Sequence, residues 1–357
     1  MRVGFFLVAA LTISLTATLV LSELFVRLVA PQPASWLAIY RSHPELPFFA
    51  MQPDRSLHVD TGETEWTVLT DDRGFRRPSE PPTPPTPSEP GECTAIWLGD
   101  SFTFGHGVEY EESFVGRVAQ RTPQVTHLNT AVAGYGPVQY RHTLAHLGEG
   151  GTRFDWVFAV SYVGNDFHDT QWDKNPRVSE GILGNEGGLK SFLKRRLHLY
   201  RLLSATYHRL GGGNQNAYAA IDEQLASAEA WQGEFLTAAR DRWGAEMRAI
   251  KEYVEARDQE VVFLVLPTRA AAAAHHAGVS GGLEPESGSD ANPARPVEEA
   301  TRMLEEMGAR YLDLTPVVGE RPPAEVFFPL DGHLNPEANQ RVADEILRVF
   351  DLRCQAT

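Results

Sequence analysis

The sequence predicts an α/β fold, a central parallel sheet flanked by helices, preceded by one N-terminal transmembrane helix. Three observations predict it. From Cys93 onward, short apolar runs alternate with segments of helical periodicity, the pattern of a parallel sheet covered by helices on both faces. Residues Val3 to Leu21 carry no charge and have about the length that crosses a bilayer's hydrocarbon core. The chain has 357 residues, 42% hydrophobic and 22% charged, enough for one large domain with extensions and inconsistent with global disorder. Its formal charge of -15, from 32 Lys+Arg against 47 Asp+Glu, argues against nucleic acid as a partner.

Residues 1–28 read as a transmembrane signal anchor, with Phe5, Phe6, Leu7, Val8, Leu11, Ile13, Leu15, Leu19, Val20 and Leu21 in the apolar run. A cleavable signal peptide would need a shorter apolar region followed by small residues. Here the run continues through Ser22, Glu23, Leu24 and Phe25 without an Ala-x-Ala stretch, which favours an uncleaved anchor. Arg2 precedes the span and Arg27 follows it. The N-terminus is expected inside and the bulk of the chain outside, in a periplasmic or extracellular location.

Residues 29–77 form an extension in which Leu57 to Asp60 and Glu65 to Thr70 alternate like short strands. Residues 78–92 are a Pro-rich linker, short of backbone donors and expected to be extended. The main domain spans 93–357. Its expected strands are Thr94 to Leu98, Val125 to Leu128, Trp156 to Tyr162, Val261 to Leu266 and Tyr311 to Leu314. Its expected helices are Glu111 to Arg121, Val138 to Leu147, Glu229 to Arg257, Val297 to Met307 and Pro336 to Phe350. The long interval between the third and fourth strands reads as a helical insertion over about 170–258. Within it Leu189 to Leu210 is amphipathic and basic, a lid or membrane-surface helix by one reading and, by the favoured one, a surface helix packing its apolar stripe on the domain.

Ligands of such sheets bind beyond the carboxyl ends of the strands, and four polar blocks fall there. Ser101, in Gly99-Asp100-Ser101, follows the first strand; alone this is a common turn and helix-cap composition. Gly134 follows the second strand and can bring a bare backbone N–H to a developing oxyanion, or simply supply a turn with positive φ. Asn165 follows the third and can donate its side-chain amide, or form an Asx-turn. Asp331-Gly332-His333 precedes the last helix and sets a carboxylate two residues from an imidazole.

Taken in order, Ser101, Gly134, Asn165 and His333 resemble the SGNH (GDSL-like) hydrolase superfamily, over residues 94 to about 350. Asp72-Arg73-Gly74-Phe75-Arg76 and the anchor resemble its bacterial membrane-anchored branch. The resemblance implies a flavodoxin-like three-layer sandwich and an esterase or acyltransferase site. By it Ser101 is the nucleophile, His333 the general base, and Asp331 the group that orients the imidazole. The backbone N–H groups of Ser101 and Gly134 and the amide of Asn165 form the oxyanion hole. Many members space acid and base as Asp-x-x-His, whereas this chain has Asp331-x-His333.

The implied function is hydrolysis of an ester through an acyl-enzyme, the acyl group sitting on an envelope polysaccharide, a lipid or a small molecule outside the cytoplasmic membrane. Two alternatives stand beside it: a polysaccharide O-acyltransferase using the same site, and a non-catalytic glycan-binding or assembly protein with this fold. No cofactor and no metal is expected. His106 and Tyr135 are secondary candidates for shaping the pocket, or else exposed loop residues. Asp166, His168 and Asp169 read as solvated loop groups rather than metal ligands, and His275 and His276 as surface residues in a loop. Cys93 and Cys354 bracket the main domain; a disulfide in an oxidising compartment and two unpaired thiols are equally economical readings.

Overall fold

The computed structural model describes residues 2–32, 37–80, 93–170, 178–179, 181–184, 192–193, 196–209, 217–279 and 291–352. The apolar N-terminal run forms one helix, Arg2–Val29, whose large side chains from Phe6 to Val29 are mostly exposed, Val26 being buried. Among the described residues it is the one helix long and apolar enough to cross a membrane.

Five strands belong to the N-terminal extension. β1 (Tyr40–Ser42) and β2 (Phe49–Met51) pair as a hairpin, and β3 (Ser56–Asp60), β4 (Glu65–Thr70) and β5 (Arg76–Arg77) form an antiparallel run. The main domain supplies β6 (Cys93–Leu98), β7 (Val125–Asn129) and β8 (Trp156–Tyr162). A short hairpin of β9 (Val178–Ser179) and β10 (Ile182–Leu183) follows, then β11 (Glu260–Leu266) and β12 (Tyr311–Asp313). The central sheet has the order β12-β11-β8-β6-β7-β5-β4-β3. Its five domain strands are mutually parallel, in the chain order 2-1-3-4-5 of a doubly wound sheet. The expected parallel sheet is thus part of a larger mixed one, because β5 pairs antiparallel with β7 and carries β4 and β3 onto the same edge.

Strands such as Trp156–Tyr162, buried at every position, read as unbroken apolar runs because both faces of the sheet are covered. Alternate residues enter two cores. Ile96, Leu98, Val157, Ala159, Phe263 and Val265 pack with the helices Pro137–Glu149, Glu234–Glu255 and Arg295–Glu306. Trp97, Phe158, Val160, Val262 and Leu264 pack with Phe114–Arg121 and Pro336–Val349. These are the three layers of the fold.

Three elements depart from expectation. The helix expected over Glu111 to Arg121 begins only at Phe114, because Ser113 is extended at φ -67 and ψ 153 after the short turn Tyr110–Glu112. The helix expected over Glu229 to Arg257 is broken at Gly233, which is extended at φ -69 and ψ 153, between Ala228–Gln232 and Glu234–Glu255. The segment holding His275 and His276 is a helix, Arg269–Val279, not a loop; its run of alanines is the strongest intrinsic helix former. Most of the Pro-rich linker and residue Cys354 lie outside the described residues, and with Cys354 the disulfide expectation; Cys93 is buried at the start of β6.

Candidate active site

Ser101 stands immediately beyond β6, at the boundary with β8 where the strand order reverses, and opens the short helix Ser101–Phe104. Asp100 caps that helix, its Oδ1 accepting from the Phe102 N–H at 2.9 Å. Across the end of the sheet, the loop before the last helix brings His333 to it: Nε2 lies 2.7 Å from Ser101 Oγ. His333 Nδ1 lies 2.5 Å from Asp331 Oδ1. With the proton on Nδ1 the ring donates to the carboxylate and leaves Nε2 to accept from the serine hydroxyl. The short Asp-x-His spacing closes this contact because Gly332, at φ +84, turns the chain through the left-handed region.

Asp331 serves a second ring. His106 Nε2 lies 3.4 Å from Asp331 Oδ2, and the two imidazole centroids are 4.6 Å apart. Rather than lying exposed in a loop, His106 is buried, with its ring edge-on to Trp66 of β4 at 4.9 Å. Burial pushes the Asp331 carboxyl up, but the imidazoles of His333 and His106 outweigh it and hold the group well below the usual carboxylate range. Burial and the neighbouring His333 push His106 down, opposed by Asp331. His106, Asp331 and His333 thus hold ligand-type atoms within 4.8 Å of one another, and both His333 nitrogens are already hydrogen-bonded.

Gly134 lies in the turn after β7, at φ +92. A Cβ there would lie 3.4 Å from Phe49 Cζ and 3.8 Å from Leu183 Cδ1, so β2 and β10 close over this turn. Tyr135 is buried, donating from its hydroxyl to the Phe49 carbonyl at 2.6 Å, and the Tyr40 hydroxyl donates to the Ala133 carbonyl at 3.2 Å. Asn165, after β8, donates its side-chain amide to Asp100 Oδ2 at 3.1 Å. Burial pushes the Asp100 carboxyl up to about 6, against the hydrogen bonds and the His333 charge that favour the anion. Beneath them Asp166 and Asp169 are buried rather than solvated; Asp166 accepts from the Tyr140 hydroxyl at 3.0 Å. Burial, then the neighbouring Asp100 and Asp169, raise the Asp166 carboxyl. His168 instead turns to Gln224 Oε1 at 3.1 Å.

Sequence reasoning missed the groups that hold these loops in place. Glu63, between β3 and β4, accepts from the backbone N–H groups of Leu330 and Asp331 at 2.9 and 2.8 Å. Arg76 of β5 is buried and donates to the carbonyls of Phe104, Gly105 and Val108 at 2.6, 2.6 and 2.7 Å, bracing the loop that follows Ser101. Burial lowers its guanidinium to about 10, still a cation at neutral pH. Thr64 Oγ1 adds a bond to the Gly107 carbonyl at 2.6 Å. The Asp72 to Arg76 stretch was the available signal for Arg76. Glu63 had none, since its partners lie 267 and 268 residues away.

No protein-family model matches the chain, and no curated protein matches it in sequence. Among solved structures, a member of the lipolytic protein G-D-S-L family from Veillonella parvula is similar at 12% identity and a TM-score of 0.38, covering 72% of this chain and 98% of its own. The acetylxylan esterase Axe2 of Geobacillus stearothermophilus gives 12% and 0.39, covering 74% and 98%. LAE5, an alpha/beta hydrolase enzyme from the metagenome of Lake Arreo, gives 11% and 0.35, covering 72% and 94%. At these values the likeness assigns neither an activity nor a residue role to this chain.

Proposed function

We propose that this chain is a serine-dependent ester hydrolase, held at a membrane by the helix Arg2–Val29, acting on an acylated glycan, lipid or small molecule outside the cytoplasm. The observation that carries the reading is the unbroken relay Ser101 Oγ–His333 Nε2 at 2.7 Å and His333 Nδ1–Asp331 Oδ1 at 2.5 Å. A serine hydroxyl becomes a competent nucleophile when a neutral imidazole can take its proton, and a carboxylate on the far nitrogen sets the tautomer and supports the imidazolium.

In this reaction Ser101 Oγ attacks the ester carbonyl carbon and passes its proton to His333 Nε2. The carbonyl oxygen becomes an oxyanion, received by the N–H groups of Ser101 and Gly134 and by Asn165. The bond from Asn165 to Asp100 restrains the amide and uses one of its two N–H groups, and the second N–H is the one this reading assigns to the oxyanion. Collapse breaks the ester C–O bond, and His333 returns the proton to the leaving alcohol. Water then adds to the acyl carbon and gives its proton to the same imidazole; collapse breaks the bond to Ser101 Oγ, which takes that proton back from His333 as the acid leaves.

The test is a graded panel of acyl esters with the full chain in detergent, alongside a fluorophosphonate probe. Labelling of Ser101, turnover on at least one ester, and loss of both in Ser101→Ala are expected. Turnover at the wild-type rate in Ser101→Ala would overturn the assignment.

A further inference from the structure

The helix His198–Arg209 of the insertion is fastened to the last turns of the apolar N-terminal helix. Glu23 accepts from the backbone N–H groups of His198 and Leu199 at 3.0 and 2.8 Å, satisfying two donors at that helix's N-terminus. Arg27, paired with Glu23 at 2.9 Å, donates to the Arg196 carbonyl at 2.8 Å. Beyond the helix end, Gln32 N donates to His198 Nδ1 and Arg201 donates to the Gln32 carbonyl, both at 2.8 Å. The only charged side chains between Val3 and Val29 are therefore turned into this joint.

Of the remaining side chains of the same two turns Val26 is buried, while Leu24, Phe25, Leu28 and Val29 are apolar and exposed. The uncharged stretch from Val3 to Ser22 rises about 30 Å, the thickness of a bilayer's hydrocarbon core, which puts Glu23 and the joint at the boundary. The docked helix must then lie at headgroup depth. On it Leu203 and Tyr207, four residues apart and so on one face, are 60% and 59% exposed; Phe192, just upstream, is 55% exposed, and Arg196 stands between them. Apolar and aromatic residues on one face with arginine beside them fit the acyl–headgroup boundary.

We propose that His198–Arg209 lies in the membrane surface beside the exit of the N-terminal span, with Leu203 and Tyr207 in lipid, so that the domain meets the bilayer at two places. The proposal rests on the helix Arg2–Val29 being retained as a span. Two consequences separate the two readings. The full chain is reconstituted into phosphatidylcholine–phosphatidylglycerol vesicles containing a photoactivatable diazirine phosphatidylcholine, illuminated, and digested with trypsin for mass spectrometry. Lipid adducts are expected on the anchor peptide and on Leu202–Arg209, and not on peptides from 217–255. The double variant Leu203→Glu/Tyr207→Glu should lose the Leu202–Arg209 adduct at least about tenfold with the anchor adduct unchanged. Anchor labelling without Leu202–Arg209 labelling, as a protein partner or a second copy covering this face would produce, overturns the proposal alone. Absence of the anchor peptide from the mature chain overturns the span and this proposal with it.

Discussion

Asp331→Asn is the substitution for which the structure sets the magnitude most directly. The side chain keeps its shape, so the loop Leu330 to His333 and its hold on Glu63 remain, while the charge is lost. His333 Nδ1 faces Asp331 Oδ1 at 2.5 Å, and no backbone carbonyl is bonded to that nitrogen among the described residues. The imidazolium formed as Ser101 attacks would then have no counter-charge, and an amide nitrogen turned towards Nδ1 would favour the wrong tautomer. Loss of this support costs about 10,000-fold in turnover, or about 5.5 kcal/mol of barrier. The wild-type carboxyl is held well below the usual range, so it is ionised throughout the assay window. A depressed carboxyl contributes stability that is present above its unfolded pKa and disappears as pH falls through the folded one. The variant should accordingly melt below wild type at neutral pH and approach it in strong acid. The assay is kcat on the best ester of the panel, with fluorophosphonate labelling and a melting curve at each pH. A folded Asp331→Asn protein that keeps more than about a tenth of wild-type turnover would refute the reasoning.

Three further outcomes follow from the same contacts. Asn165→Ala should lower kcat by about 100- to 1,000-fold with KM nearly unchanged, as for a donor used mainly in the transition state; a change confined to KM would count against that role. Glu63→Ala removes two charge-assisted hydrogen bonds to the loop carrying Asp331, on a partly exposed turn, and should lower stability by about 1–2 kcal/mol and turnover by about tenfold, read by melting and ester hydrolysis. The Asp100 carboxyl is raised to about 6 by burial, so its contribution to stability is present below about 4 and lost as pH rises through about 6. Asp100→Asn should therefore gain on wild type in melting temperature across that interval, and a difference independent of pH would disprove it.

Local sequence was sufficient for the parallel half of the sheet and for the positions of Ser101, Gly134, Asn165 and His333. Strands buried on both faces announce themselves as apolar runs, and the loops that follow such runs gather at the carboxyl ends of the strands, where ligands of such sheets bind. His275 and His276 lie on a helix rather than in a loop because the alanine run Ala270 to Ala274 before them is a strong helix former, which outweighs the Gly-rich stretch that follows. Tertiary structure alone decided that the extension belongs to the same sheet, since β5 meets β7 through a single register pair that no periodicity encodes. It also decided that Asp331 is shared between His333 and His106, that Asn165 is held by Asp100, and that Glu63 reaches across 268 residues to the Asp331 N–H. Hydrogen bonds of this kind join polar residues of ordinary loop composition. Their partners are chosen by where the chain returns in space, which the order of apolar and polar residues along one segment does not record.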